Sequence, residues 1–169
     1  VESENNFRQI NETIQDVFWL YDTLNLKYVY ISPSCEKVLG MKEEYFYEGQ
    51  SFSEKMVLEE DRSILLKSRR SLESKPSYEI EYRIRTEAGV VKWIHEKSSA
   101  IYDTSGKLVR TSGVSSDITE KKERESRLKE LSLISEVVNN GVVISNPEGL
   151  IQWCNKSYLD MMGYNLEEL

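Results

Sequence analysis

Beyond Pro76 the hydrophobic period changes to two, and three strand segments follow one another through the middle of the chain. In Glu79–Arg85 (EIEYRIR), Ile80, Tyr82 and Ile84 share one face while Glu81, Arg83 and Arg85 share the other. Glu87-Ala88-Gly89 makes a turn into a long strand, Val90–Tyr102. Asp103-Thr104-Ser105-Gly106 turns again into Lys107–Ser116. Strands with one apolar face need cover on that side, which an antiparallel meander takes from helices placed elsewhere in the chain.

The helices lie upstream. Val17–Asp22 (VFWLYD) and Lys27–Ser32 (KYVYIS) are aromatic and β-branched, and the short link Thr23–Leu26 predicts a hairpin. Pro33 ends the second strand, Ser34 or Ser32 is placed to cap a short helix, and Gly40 suits its left-handed end. Short helical turns are expected over Met41–Phe52, carrying Tyr45, Phe46, Tyr47 and Phe52. A longer helix over Glu59–Leu72 has an acidic start and a basic end, with Ile64, Leu65, Ser68 and Leu72 predicted to face the core. Two strands, then helices, then three strands define an α+β class: a five-stranded antiparallel sheet with helices on one face.

Both flanks read as helix. Phe7, Ile10, Ile14 and Val17 recur at steps of three, four and three, which predicts an amphipathic N-terminal helix over residues 1–16. Glu120–Glu130 holds nine charged residues in eleven positions, with Glu120–Arg124, Glu123–Arg127 and Glu125–Lys129 in the favourable acid-first order. Leu128, Leu131, Ile134 and Val138 then form a seam suited to a partner helix, so residues 119–139 read as a helical connector and the chain as a homodimer.

Several function classes drop out. With 22 basic against 29 acidic side chains the net charge is −7, which argues against a nucleic-acid partner. No apolar run approaches a membrane span and no signal peptide opens the chain, so a cytoplasmic setting without membrane contact is expected. His95 is the only histidine, and two cysteines, Cys35 and Cys154, make neither a disulfide scaffold nor a paired-cysteine zinc site, so no metal site is expected. No glycine-rich phosphate loop and no catalytic constellation is present, so this chain reads as no enzyme in itself.

The stretch from about Val17 to Thr119 resembles a PAS domain with its PAC extension. The matching segments are YVYISPSCEKVLGM, LEEDR at Leu58–Arg62, EYRIRTEAGVVKWI and GVSSDITEKKERE. One departure stands out: the long helix, usually entered by a His-Pro pair, is entered here by Leu58-Glu59. A second opening of the same kind follows, VVISNPEGLIQWCNKSYLDMMGY. At an offset of 123, Gly163 falls on Gly40, Trp153 on Tyr30, Asn155 on Ser32, Ser157 on Ser34 and Met162 on Leu39. The domain reading is therefore an N-terminal helix (1–16), a complete PAS/PAC domain (17–118), a connector (119–139) and the N-terminal part of a second PAS domain (140–169).

The resemblance implies a signal-sensing and relay module of a multi-domain sensor, most often a two-component histidine kinase whose kinase domain lies outside this chain. The alternative is a ligand-free dimerisation module of a diguanylate cyclase, chemoreceptor or transcriptional regulator. Tyr21, Tyr30, Phe46, Tyr82 and Trp93 are the candidate lining of a ligand cleft between sheet and helices. Asp117, Ile118 and Thr119 are the candidate joint that feeds the connector. A flavin-adduct PAS domain needs an asparagine–cysteine–arginine setting, whereas Cys35 stands in PSCEKVLG and reads as a small core residue. A haem PAS domain wants a histidine on the long helix, which has none. No cofactor is expected, and a colourless small-molecule ligand is left open.

Overall fold

The computed structural model describes residues 15–49, 52–137 and 140–163. The chain divides after Glu120 into two compact units. The first carries strands β1 (Val17–Asp22), β2 (Lys27–Ile31), β3 (Ser77–Arg85), β4 (Val91–Tyr102) and β5 (Leu108–Asp117). They form one antiparallel sheet in the order β2-β1-β5-β4-β3. Between β2 and β3 come α1 (Cys35–Leu39), α2 (Glu43–Tyr47), α3 (Phe52–Lys55) and α4 (Glu59–Ser71). The expected α+β arrangement is the observed one, with element ends moved by one or two residues. The helix expected over 1–16, with Phe7, Ile10 and Ile14, falls almost wholly outside the described residues, and Val138 lies outside them too.

The core lies between one face of the sheet and the helices. Val17 and Trp19 from β1, Ile31 from β2, Tyr82 and Ile84 from β3 and Ile94 from β4 meet Cys35, Val38 and Leu39 of α1, Phe46 of α2, Phe52 of α3 and Leu65 of α4. Trp19 reaches across the sheet because its register partner on β5 is Gly113. A Cβ at Gly113 would stand 2.3 Å from the indole Cζ2 and 2.8 Å from the Lys97 carbonyl oxygen. The indole Nε1 then donates to the Ser115 hydroxyl at 3.1 Å.

Two local expectations are corrected. Neither Ser32 nor Ser34 caps α1 through its side chain. The Ser34 hydroxyl instead donates to the Asp16 carbonyl at 2.7 Å and sits 2.6 Å from the Ser32 hydroxyl, which accepts from Phe18 N at 2.9 Å. The serines are spent on pinning the start of β1 to the end of β2. On α4, Ile64 is 45% exposed, and the inward face is Asp61, Leu65 and Leu72 at the helix end. Asp61 is held inward by the Arg83 fork on edge strand β3, whose Nε and Nη2 donate to its two oxygens at 2.9 and 2.8 Å.

The second unit contains all but the first two residues of α5 (Thr119–Val137), then β6 (Val143–Ser145), β7 (Ile151–Cys154) and α6 (Lys156–Met162). Its hairpin repeats a detail of the first. Between β1 and β2 the register passes from Leu20↔Tyr30 to Tyr21↔Tyr28, leaving Val29 as a bulge. Between β6 and β7 it passes from Ile144↔Trp153 to Ser145↔Ile151, leaving Gln152, which is Val29 displaced by 123. Gly40 and Gly163 close their helices with the same φ of +73°. Asn155 accepts from Val142 N at 2.8 Å as Ser32 accepts from Phe18 N, and it also caps α6 by accepting from Tyr158 N at 3.0 Å. Among the described residues no helix is long and apolar enough to cross a membrane.

Gly113→Ala is expected to destabilise the first unit by about 1–3 kcal/mol, because a methyl group there overpacks the Trp19 site. Urea unfolding would register it as a lower midpoint at unchanged slope. An unchanged midpoint would refute the packing account.

Candidate ligand cleft and relay joint

The bulge at Val29 decides which aromatics line the cleft. Strict alternation would put Tyr28 and Tyr30 on one face, but the extra residue turns Tyr28 inward beside Tyr21 and leaves Tyr30 beside Leu20 on the opposite face of the sheet. Tyr28 becomes the hub of an edge-to-face cluster, with ring centroids 5.1 Å from Tyr21, 5.3 Å from Phe46 and 6.4 Å from Trp19. Of the five expected lining residues, Tyr21, Phe46 and Tyr82 meet at the cleft. Trp93 does not: on β4 the inward series is Ile94, Glu96 and Ser98, and the Trp93 ring lies under the Arg83 guanidinium at 5.5 Å.

Three voids among the described residues border the cleft, with Tyr28 and Arg69 lining each of them. One of about 170 Å³ is lined by Trp19, Tyr21, Thr23, Tyr28, Arg69, Leu72, Tyr78, Leu108 and Thr111. A second of about 220 Å³ lies toward Phe46 and Phe52, again against Tyr21, Tyr28 and Arg69. The third, about 10 Å³, touches Arg69, Tyr82, Glu96 and Ser115 and has room for about one water.

Polar groups at the cleft floor are linked in a chain. Glu96 is 2% exposed, and its two oxygens accept from the Tyr78 and Tyr82 hydroxyls, each at 2.6 Å. Ser115 donates to the same carboxylate at 3.4 Å and receives the Trp19 indole N–H. Burial, reinforced by the Glu96 charge, pushes the Tyr78 and Tyr82 phenols above their ordinary range, so both stay protonated donors. Burial pushes Tyr28 up to about 12 although Arg69 acts against it. Burial opposes the charge of Arg69, but the surrounding phenols and Glu96 outweigh it and keep the guanidinium charged. Cys35 is fully buried in α1 and its thiol is pushed up to about 12, first by burial and then by Glu43.

A second constellation joins the sheet to α5. Asp117 Oδ1 accepts from Thr119 N at 3.0 Å and from the Thr119 hydroxyl. That hydroxyl in turn accepts from Trp93 N at 2.9 Å, while Ile118 N donates to the Trp93 carbonyl at 2.9 Å. Trp93 therefore acts at the joint, through its backbone. Lys92 stands beside it: its Nζ donates to the Lys37 and Val38 carbonyls at the end of α1, both at 2.9 Å, and pairs with Asp117 Oδ2 at 3.2 Å. The expected joint residues Asp117, Ile118 and Thr119 are thus brought together. Farther along α5, Leu128 is 67% exposed, and the side chains of Leu131 and Ile134 lie outside the described set.

Sequence reasoning missed Arg69, Tyr28, Glu96, Tyr78 and Lys92. Glu96 had a readable signal, an acid in an inward-facing series between Ile94 and Ser98. Arg69 resembled an ordinary basic helix end, and Tyr28 was hidden by the bulge.

This architecture has counterparts. A family model described as PAS fold matches residues 28–115, and one described as PAS domain matches residues 129–169. The chain belongs to the PAS fold family. A blue-light-activated histidine kinase of Brucella anthropi is 24% identical over 124 residues, 73% of this chain and 24% of that protein. The chain thus spans about a quarter of the length of the curated relatives it matches. A sensory box histidine kinase/response regulator from Burkholderia thailandensis superposes with a TM-score of 0.60 at 24% identity, covering 73% of this chain and 92% of that one. The N-terminal domain of a diguanylate cyclase with PAS/PAC sensor from Marinobacter aquaeolei gives 0.58 at 21% identity, covering 63% and 98%.

Two carboxylates should make stability depend on acid. The Arg83 hydrogen bonds outweigh burial at Asp61 and hold its pKa below the ordinary range. At Asp117 burial acts upward, but Thr119 and Lys92 together outweigh it and the net direction is also down. A lowered folded pKa stabilises above the unfolded value near ~3.9, and that contribution is lost as pH falls through the folded value. Asp61→Asn should cost about 1 kcal/mol at pH 7, limited by solvent screening, and the gap to the parent should close below about pH 4. A gap that widens in acid would contradict the assignment.

Proposed function

We propose that this chain is the sensing and relay segment of a sensor histidine kinase, in which occupancy of the first unit's cleft re-poses the helix leaving β5. The observation that carries the reading is the joint. Lys92 holds the end of α1, a cleft-side helix, to Asp117, and Asp117 with Thr119 sets the first turn of α5. A shift of α1 on ligand binding has a short hydrogen-bonded route to the connector.

The kinase assignment follows the relatives, and the kinase chemistry belongs to a domain outside this chain. The proposed organisation is an N-terminal helix (1–16), a PAS/PAC domain (17–118), a connector (119–139) and the opening of a second PAS domain (140–169), in a cytoplasmic setting. A diguanylate cyclase output is the second reading, favoured by the Marinobacter neighbour.

A parallel homodimer is proposed along the connector seam of Leu128, Leu131, Ile134 and Val138. Leu131→Glu with Val138→Glu should turn a dimer into a monomer in sedimentation at tens of micromolar, with the near-ultraviolet spectrum of the first unit unchanged. A parent chain that sediments as a monomer at high micromolar concentration removes this part of the reading.

The cleft is proposed to take a colourless ligand and neither flavin nor haem, although relatives include blue-light-activated kinases. Its inward voids of about 170 and 220 Å³ are each short of a tricyclic ring with its side chain, and Cys35 lines neither. The purified chain should show no absorption band near ~400–450 nm (roughly the flavin and haem region); such a band in stoichiometric amount would overturn this.

A further inference from the structure

Arg69 has no part in the relay. It projects from the last turn of α4 and borders all three voids of the cleft. Among the described residues no carboxylate forms an ion pair with it, since Glu96 acts on it only at longer range and has both oxygens engaged by Tyr78 and Tyr82. A guanidinium brings five N–H donors in a planar fork, and Tyr28 answers only part of that capacity. A charge in such a place without a paired anion is costly, and a carboxylate is the group whose geometry matches the fork.

The void beside it sets the rest of the ligand. At about 170 Å³ it is close to a cavity that holds benzene, and Trp19, Leu72 and Tyr78 give it an apolar wall. One cation matches one negative charge. A second charge on the ligand would meet no further cation in this void and would feel Glu96 behind Tyr78. Neutral or cationic molecules would leave the Arg69 fork unanswered.

We infer that the cleft binds a small monocarboxylic acid with an apolar, ring-sized body, the carboxylate held by Arg69 and the body packed against Trp19, Leu72 and Tyr78. This rests on the reading of the cleft as the sensory site, and it assigns that site a ligand class.

The test uses the full chain, with benzoate, phenylacetate and cyclohexanecarboxylate as probes and their amides as neutral isosteres, read by calorimetry and thermal unfolding. At least one acid should bind and raise the melting temperature, with its amide weaker by about tenfold or more. Arg69→Lys, which keeps the charge but loses the fork, should weaken the acid and leave the amide unchanged. Arg69→Met should abolish the preference for the acid. If acid and amide bind equally, or if Arg69→Lys leaves the acid's affinity intact, the assignment to Arg69 is wrong while the cleft remains a binding site. If no acid and no amide binds, both the ligand class and the sensory reading of the cleft fall.

Discussion

Tyr28 and Tyr30 are two apart in β2 yet pair with adjacent residues of β1, so Val29 is left over and the strand exchanges faces between them. Without that extra residue, the ring now at the centre of the aromatic cluster would lie on the other side of the sheet. The inward turn of Tyr28 brings its ring to the lining of all three voids, gives Phe46 and Tyr21 an edge to pack on, and sets its hydroxyl against Arg69. The same displacement at Gln152 in the second hairpin indicates a device that belongs to the fold itself.

With Tyr28 in place, the interior has a polar floor beneath an aromatic wall. Glu96 is held by two phenols and a serine, each on a different element from its own, so the carboxylate fastens β3 and β5 to β4 on the buried side. Both phenols keep their protons because burial and the neighbouring charge disfavour a second anion there. Such a network is worth keeping only when every member is satisfied, and no buried side-chain polar atom among the described residues lacks a partner. Arg69 then differs from its surroundings. It borders all three voids and, among the described residues, has no carboxylate in an ion pair with it.

The architecture was legible in the sequence because its signals are periodic. Period two in Glu79–Arg85 and the turn glycines dictate strands whatever their surroundings, and the order of periods leaves few sheets to build. The site was half legible. Tyr21, Phe46 and Tyr82 follow from alternation, but Tyr30 and Trp93 went to the outer face because a bulge and a register are long-range facts. Ile64 failed for a related reason: the buried face runs through Leu65, Leu72 and Asp61, the last held by Arg83 from another element, and Ile64 lies off that face. The joint was legible as a segment, yet its partner Trp93 and its tether Lys92 came from a strand some two dozen residues earlier, a pairing that no local pattern announces.

The position of that tether bears on how a signal leaves the domain. β4 and β5 are paired along nearly their whole length, so they resist sliding past each other. Movement in the cleft therefore has to leave at an end of the pair, where hydrogen bonds are fewest. Lys92 sits at that end, bonded to two carbonyls of α1 and to Asp117. Its ammonium offers three donors, and the three partners account for all of them. If α1 moved away from β4, Lys92 would have to release either the helix or Asp117 Oδ2, and releasing Asp117 would leave the first turn of α5 held by Asp117 Oδ1 on Thr119 and by the Trp93 backbone, without the cation. On the proposed relay, a cation shared between the helix and Asp117 would have to choose between them when α1 moves, and a choice of that kind would let the connector report occupancy of the cleft and not merely bend with it.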